Sequence, residues 1–174
     1  AVITRYTLRL LTVQQFERTS RLVCALESIR STEPETFGHI PVTIGIWVGK
    51  ASTPNQFKNA KSRVDTLYEE EEPQSPFLLN SCPWCGTELI PKVKHQNPDT
   101  YGVRASENNF ELFCPDSKCL FHNKLPIQPV DEGLYQQPPT ILIGTVDKFA
   151  LLAWDARNRV FLGTDRFRPP SLII

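Results

Sequence analysis

Four of the chain's five cysteines form two tight pairs, Cys82-x2-Cys85 and Cys114-x4-Cys119, with 28 residues between the pairs. Two short knuckles that each offer two thiolates are the donor set tetrahedral zinc prefers. In CPWCGTEL, Pro83 stiffens the first turn, and Gly86 lets the backbone curl under a metal and release into a strand. The spacing predicts zinc held by Cys82, Cys85, Cys114 and Cys119. The bland alternative is two reduced thiol pairs without metal. That alternative is weakened because the surrounding segment shows few long apolar runs, and small segments need a staple. His122 is an alternative to Cys119 as ligand; His95 and His39 read as surface residues. Four available thiolates point to a closed, structural centre, since a catalytic zinc keeps three ligands and an open position. No His/Glu pairing stands beside such a position, which argues against a metalloenzyme.

The fifth cysteine, Cys24, lies in RLVCALESI, an apolar helical stretch, and reads as a small buried hydrophobe. A free buried thiol beside two paired sets suits a reducing cytoplasm better than a disulfide scaffold. The 174 residues suffice for one domain, or for one domain carrying a small insertion. Lys+Arg and Asp+Glu both number 19, a balance that argues against a stand-alone nucleic-acid-binding module while allowing a local basic face. No apolar run reaches the roughly 18 residues of a membrane span. The opening AVITRYTLRL has neither an initiator Met nor a signal-peptide layout, and the sequence reads as a piece of a longer protein.

Stretches that alternate between strand and helix patterns surround the cysteine region. Residues 1–6 read as a buried strand, and the stretch from Thr12 to Arg30 as a helix with Thr12 as N-cap. Phe16, Ser20, Val23, Leu26 and Ile29 recur at spacings of three and four and predict its inward face. Residues 42–50 (VTIGIWVGK) are apolar on both faces, as in a sheet covered on both sides. A second helix is expected to start after Thr53 or Pro54, and Glu69 to Glu72 to form a solvated helix end or loop. After the cysteine segment, residues 140–144 read as a third strand, residues 145–157 as a helix, and FRPPSLII as a fourth, buried strand. The predicted class is α/β: 1–77 and 127–174 are two parts of one parallel-sheet domain, and 78–126 is an inserted zinc-ribbon-like module. Functional residues should follow the carboxyl ends of the strands.

Three segments at those ends resemble motifs of superfamily 2 helicases. TLRLLTVQ is similar to motif Ia, PTRELAxQ, with Arg9, Leu11 and Gln14 in register. WVGK falls where that superfamily has its strand-end GG element, with Gly49 matching, and GTVDKF resembles motif Ib, TPxRL, through Thr145 and Lys148. Val146 departs from the pattern, where the family has Pro. The wording of RYTLRLLTVQQFERTSRLVCALE, CPWCGTEL, PPTILIGTVDKFALLAW and RPPSLII resembles the large-helicase family of the bacterial DISARM antiphage system over most of the chain.

The resemblance implies a partial RecA-like domain with a zinc insertion, lying between motif Ia and the DExH box. It implies contacts from Arg9, Thr12, Gly49, Lys50, Thr145 and Lys148 to the DNA backbone, gripped without reading bases. The competing reading makes Arg9 and Lys148 solvated and Thr12 and Thr145 helix N-caps. The sequence contains neither a GxxxxGKS/T loop nor an acidic box, so ATP and Mg2+ are expected only in the full-length parent, and the segment alone should not hydrolyse ATP. The implied partners are DNA and proteins of a defence complex, with no membrane. The alternative function is a non-enzymatic zinc-ribbon adaptor. RPPSLII leads the expectation that the parent continues with a DExH-type pair and carries a phosphate loop upstream of Ala1.

Overall fold

The computed structural model describes residues 1–7, 9–164 and 166–174, with the side chains of Arg9 and Ala153 also outside the description. Five strands form one sheet: β1 (Val2–Tyr6), β2 (Ile44–Trp47), β5 (Ile127–Gln128), β6 (Ile141–Thr145) and β7 (Leu172–Ile173). Their order is β5-β2-β6-β1-β7, and every pairing is parallel. All the carboxyl ends therefore lie along one edge, and β2, β6 and β1 present theirs side by side. A smaller antiparallel pair, β3 (Val103–Ala105) and β4 (Phe110–Leu112), lies in the cysteine segment. Among the described residues no helix is long and apolar enough to cross a membrane.

Helix α1 (Arg9–Thr32) has neither Gly nor Pro within it and ends just before Pro34, which starts the short α2 (Pro34–Phe37). It begins three residues earlier than its sequence pattern predicts. Thr12 is therefore not an N-cap: it sits inside the helix, fully buried, above Phe16, Ser20 and Val23. The inward face also stops early, because Leu26 and Ile29 are 40% and 53% exposed and Cys24 is buried instead.

Glu27 fastens the far end of α1 to the approach to β2. Its carboxylate accepts the Val42 N–H at 2.8 Å and two bonds from Arg30 at 2.7 Å. Burial alone would raise its pKa, but Arg30 and the Val42 N–H outweigh burial and hold it below the usual 4.5. A carboxylate with a depressed folded pKa stabilises above its unfolded value, and that contribution fades as pH falls through the folded one. Glu27→Gln should thus cost about 1–2 kcal/mol near neutrality. The gap from wild type in urea midpoint should close between roughly pH 5 and pH 3. A gap that persists at the acid end would show that the charge plays no part.

β2 is buried at all four positions, as a central strand covered on both faces requires. Gly144 in β6 permits the packing over it: a Cβ there would stand 2.8 Å from the Phe149 ring and 3.1 Å from the Trp47 carbonyl oxygen. Helix α3 (Phe57–Glu69) starts later than predicted, because its cap comes from a distant element. Glu132 Oε2 accepts the Phe57 N–H at 2.8 Å, and the Glu132 N–H donates to the Asn55 carbonyl at 3.0 Å. That exchange ties α3 to α4 (Asp131–Gln136). After β6, the predicted long helix is short: α5 (Val146–Ala150) gives way to 3-10 turns, the second capped by Asp155, which accepts the Arg157 N–H. β7 pairs with β1, with Leu172 and Ile173 half exposed in this chain.

The cysteine segment is richer in core than its sequence suggests. Tyr101, Val103, Phe110, Leu112, Phe121 and Leu125 are buried there, in one cluster with Phe16, Ile44, Ile46 and Val64 of the α/β part. Phe77 packs on Phe110 at 4.5 Å and Tyr68 of α3 on Tyr101 at 4.9 Å, so aromatic contacts seal the junction. The expectation that this segment has little to bury is corrected: its apolar residues are scattered singly among turns, and only the fold gathers them.

Candidate metal centre and strand-end surface

The first knuckle is a tight hairpin. The Cys82 N–H donates to the Thr87 carbonyl at 2.7 Å, and the Gly86 N–H returns to the Cys82 carbonyl at 2.9 Å. Gly86 adopts φ +82°, the left-handed conformation that a residue without Cβ takes at low cost. In the second knuckle the Cys119 N–H donates to the Asp116 carbonyl, and the Asp116 carboxylate accepts the Lys118 N–H. The Cys114 N–H donates to the Phe121 carbonyl, closing the loop.

The two turns face each other so that all four sulfurs lie within 4.8 Å of one another. Cys82 Sγ is 3.9 Å from Cys119 Sγ, and Cys85 Sγ is 3.4 Å from Cys114 Sγ. A zinc–thiolate bond of about 2.3 Å implies a sulfur–sulfur edge of about 3.8 Å in a tetrahedron. Both observed edges lie near that value and far beyond the bonded distance of a disulfide, about 2.05 Å. The residues present fit a four-coordinate zinc ion.

Electrostatics set the thiols apart. Burial pushes Cys119 up to about 11, and pushes Cys114 up further. Burial would also raise Cys85, but the Thr87 hydroxyl 3.2 Å away and the Thr87 backbone outweigh it, bringing Cys85 down to about 7. A bound cation would favour all four thiolates. His122 does not join the sulfurs: its Nδ1 stands 3.0 Å from the Cys114 carbonyl oxygen and braces the second knuckle. His95 accepts the Asn97 N–H through its ring, and His39 is an exposed neighbour of Glu35. Cys24 is fully buried as expected. Its thiol is pushed up to about 12, by burial first and then by Cys82 and Cys119, so α1 brings a fifth thiol alongside the centre.

The strand-end residues divide. Gly49 and Lys50 follow β2 and are exposed. Thr145 ends β6 and is buried, and its hydroxyl makes no cap bond to α5. Arg9 follows β1 at the start of α1, and its side chain lies outside the described residues. Thr12 is buried in α1. Lys148 is buried rather than solvated. Its Nζ pairs with Asp131 Oδ2 at 2.5 Å, with the two side chains only 10% and 2% exposed.

Asp131 is a residue that sequence reasoning missed; the two-residue strand β5 places it. Together with Trp47, the last residue of β2, it walls Lys148, whose ammonium lies 5.7 Å from the Trp47 ring. Trp47 in turn packs edge-on against Phe149 at 5.3 Å and against Phe161 at 5.0 Å. Burial raises the Asp131 pKa despite Lys148 beside it, and the nearby Trp47 indole favours the anion. Asp131 Oδ1 and Trp47 Nε1 make no hydrogen bond of normal geometry.

Fold and site together define an α/β chain with an all-parallel sheet and a four-cysteine cluster positioned for zinc. No family model matches it. The chain is similar to DISARM protein DrmA of Bacillus paralicheniformis, with 33% identity over 171 residues. The match covers 93% of this chain but 15% of that protein, so the chain spans a small part of its relative's length. The likeness to the DISARM family read from the sequence is borne out.

Proposed function

We propose that the chain is a segment of the first, RecA-like motor domain of a superfamily 2 helicase-like, DNA-dependent ATPase of antiphage defence. In this reading residues 78–126 are an inserted module with one structural zinc on Cys82, Cys85, Cys114 and Cys119. ATP and Mg2+ bind elsewhere in the longer protein, and the setting is cytoplasmic, in keeping with five cysteines that form no disulfide. The observation that carries the motor reading is the placement of Arg9, Gly49, Lys50 and Thr145 after three adjacent parallel strands, on one edge of the sheet. Such an edge is where open α/β sheets bind ligands. Backbone N–H groups, hydroxyls and cations there suit a phosphate chain. The 33% identity to a DISARM protein adds support from outside the geometry. Among the described side chains of the six strand-end residues, the accessible ones carry the contact: Gly49 and Lys50. Thr12 lies too deep to touch a phosphate, and Lys148 is turned inward.

Binding of single-stranded oligo-dT to the chain, measured against salt, tests this. Lys50→Ala should weaken binding and reduce the log–log salt slope by about 0.7, the value of one phosphate contact on a single strand. Unchanged affinity and slope would remove Lys50 from the track. The second reading, a non-enzymatic adaptor, draws on Trp84, which stands exposed at the tip of the first knuckle beside Cys85. An adaptor of that kind would show no salt-dependent DNA binding.

A further inference from the structure

The Asp131–Lys148 pair is the one deeply buried ion pair among the described residues. It joins α4, which follows β5, to α5, which follows β6, at the carboxyl end of the parallel sheet. Ion pairs in such positions contribute little net stability, because the cost of removing both charges from water offsets their attraction. A pair of apolar residues would hold α4 against α5 as well. Trp47 flanks the pair: its indole N–H and the second Asp131 oxygen make no hydrogen bond of normal geometry, yet the indole still favours the carboxylate. Lys148 is the shallower partner, its side chain 10% exposed against 2% for Asp131, on a flexible four-carbon stem.

We infer that Asp131 acts as an internal stand-in for a nucleic-acid phosphate, holding Lys148 away from the strand-end surface until a polyanion draws it out. This rests on the proposed DNA track and adds a regulation to it. In the free chain the Lys148 charge is neutralised and contributes no phosphate contact. When a DNA backbone lies along the edge, its phosphates compete with the Asp131 carboxylate for the same ammonium. Lys148 then swings outward, and α4 loses its tie to α5. The contact is autoinhibitory: part of the binding free energy is spent on breaking it, so weak or brief encounters leave it closed.

The test measures oligo-dT binding against salt for wild type, Asp131→Asn, the Asp131→Asn/Lys148→Gln double variant and Lys50→Ala. Asp131→Asn should bind several-fold more tightly at an unchanged log–log slope, because the same Lys148–phosphate contact forms in both bound states. The double variant, which lacks that contact, should have a slope shallower than wild type by about 0.7. An unchanged affinity in Asp131→Asn, or an unchanged slope in the double variant, while Lys50→Ala still weakens binding, overturns this inference and leaves the DNA track standing. No effect of Lys50→Ala and none of Asp131→Asn overturns both. Hydrogen exchange on the wild-type chain keeps the matter decidable where Asp131→Asn folds poorly. On adding oligo-dT, exchange in residues 131–136 should rise as their tie is released; unchanged or slower exchange there contradicts the inference.

Discussion

Elemental analysis of the purified chain should return one zinc ion per chain, and stripping that ion should abolish cooperative unfolding of the whole molecule. A structural zinc site of four thiolates contributes on the order of 10–16 kcal/mol of apparent binding free energy at neutral pH. A domain of ordinary size has only about 5–15 kcal/mol of net stability. Cys82, Cys114 and Cys119 are buried in the same cluster as Phe16, Val23, Ile44 and Val64, so the damage cannot stay local. Cys114→Ser, at the most deeply buried ligand, should therefore leave no native thermal transition, rather than an unfolded insertion on an intact α/β body. Cys24→Ala, a thiol beside the centre but outside its four-sulfur set, should keep a full complement of zinc. A metal-free chain that melts like the metal-loaded one would refute the structural role.

The second large effect is expected at Lys148. Removing one member of a buried pair leaves the other charge unpaired, at a cost of about 3–5 kcal/mol. Lys148→Ala should show that loss in urea unfolding at neutral pH. The loss should shrink as pH falls. Burial already raises the Asp131 pKa above its usual 3.8, and without Lys148 it rises further. The native state then takes up a proton more readily than the unfolded chain, so acid favours folding of the variant relative to neutral pH. Replacing both residues with apolar ones of similar size, as Asp131→Leu/Lys148→Met, should recover most of the loss. A Lys148→Ala variant within about 0.5 kcal/mol of wild type would place the side chain on the surface, in keeping with ordinary surface substitutions.

The elements that were legible in the sequence carry strong local signals. Four cysteines at knuckle spacings, Gly86 at its left-handed turn and the apolar runs of β1, β2 and β6 each declare themselves within a few residues. The parallel sheet follows from their alternation with helices. The misread features depend on partners distant in sequence. α3 begins at Phe57 because Glu132 caps it from 75 positions away. Thr12 has the chemistry of an N-cap, but Arg9, Leu10 and Leu11 are good helix formers and the helix starts before it. β5 spans two residues, too few for a periodic pattern, and so Asp131 gave no sign that it would meet Lys148 of α5. Lys148 matched a motif by position, yet its side-chain direction is set by that carboxylate.

The motor reading is tested most directly by ATP hydrolysis, measured with and without single-stranded DNA, on a longer protein carrying this segment and on the 174-residue chain alone. The account predicts hydrolysis by the longer protein that DNA accelerates several-fold, a smaller acceleration in its Lys50→Ala variant, and none by the segment itself. Hydrolysis by the isolated segment, or a longer protein indifferent to DNA, would contradict it.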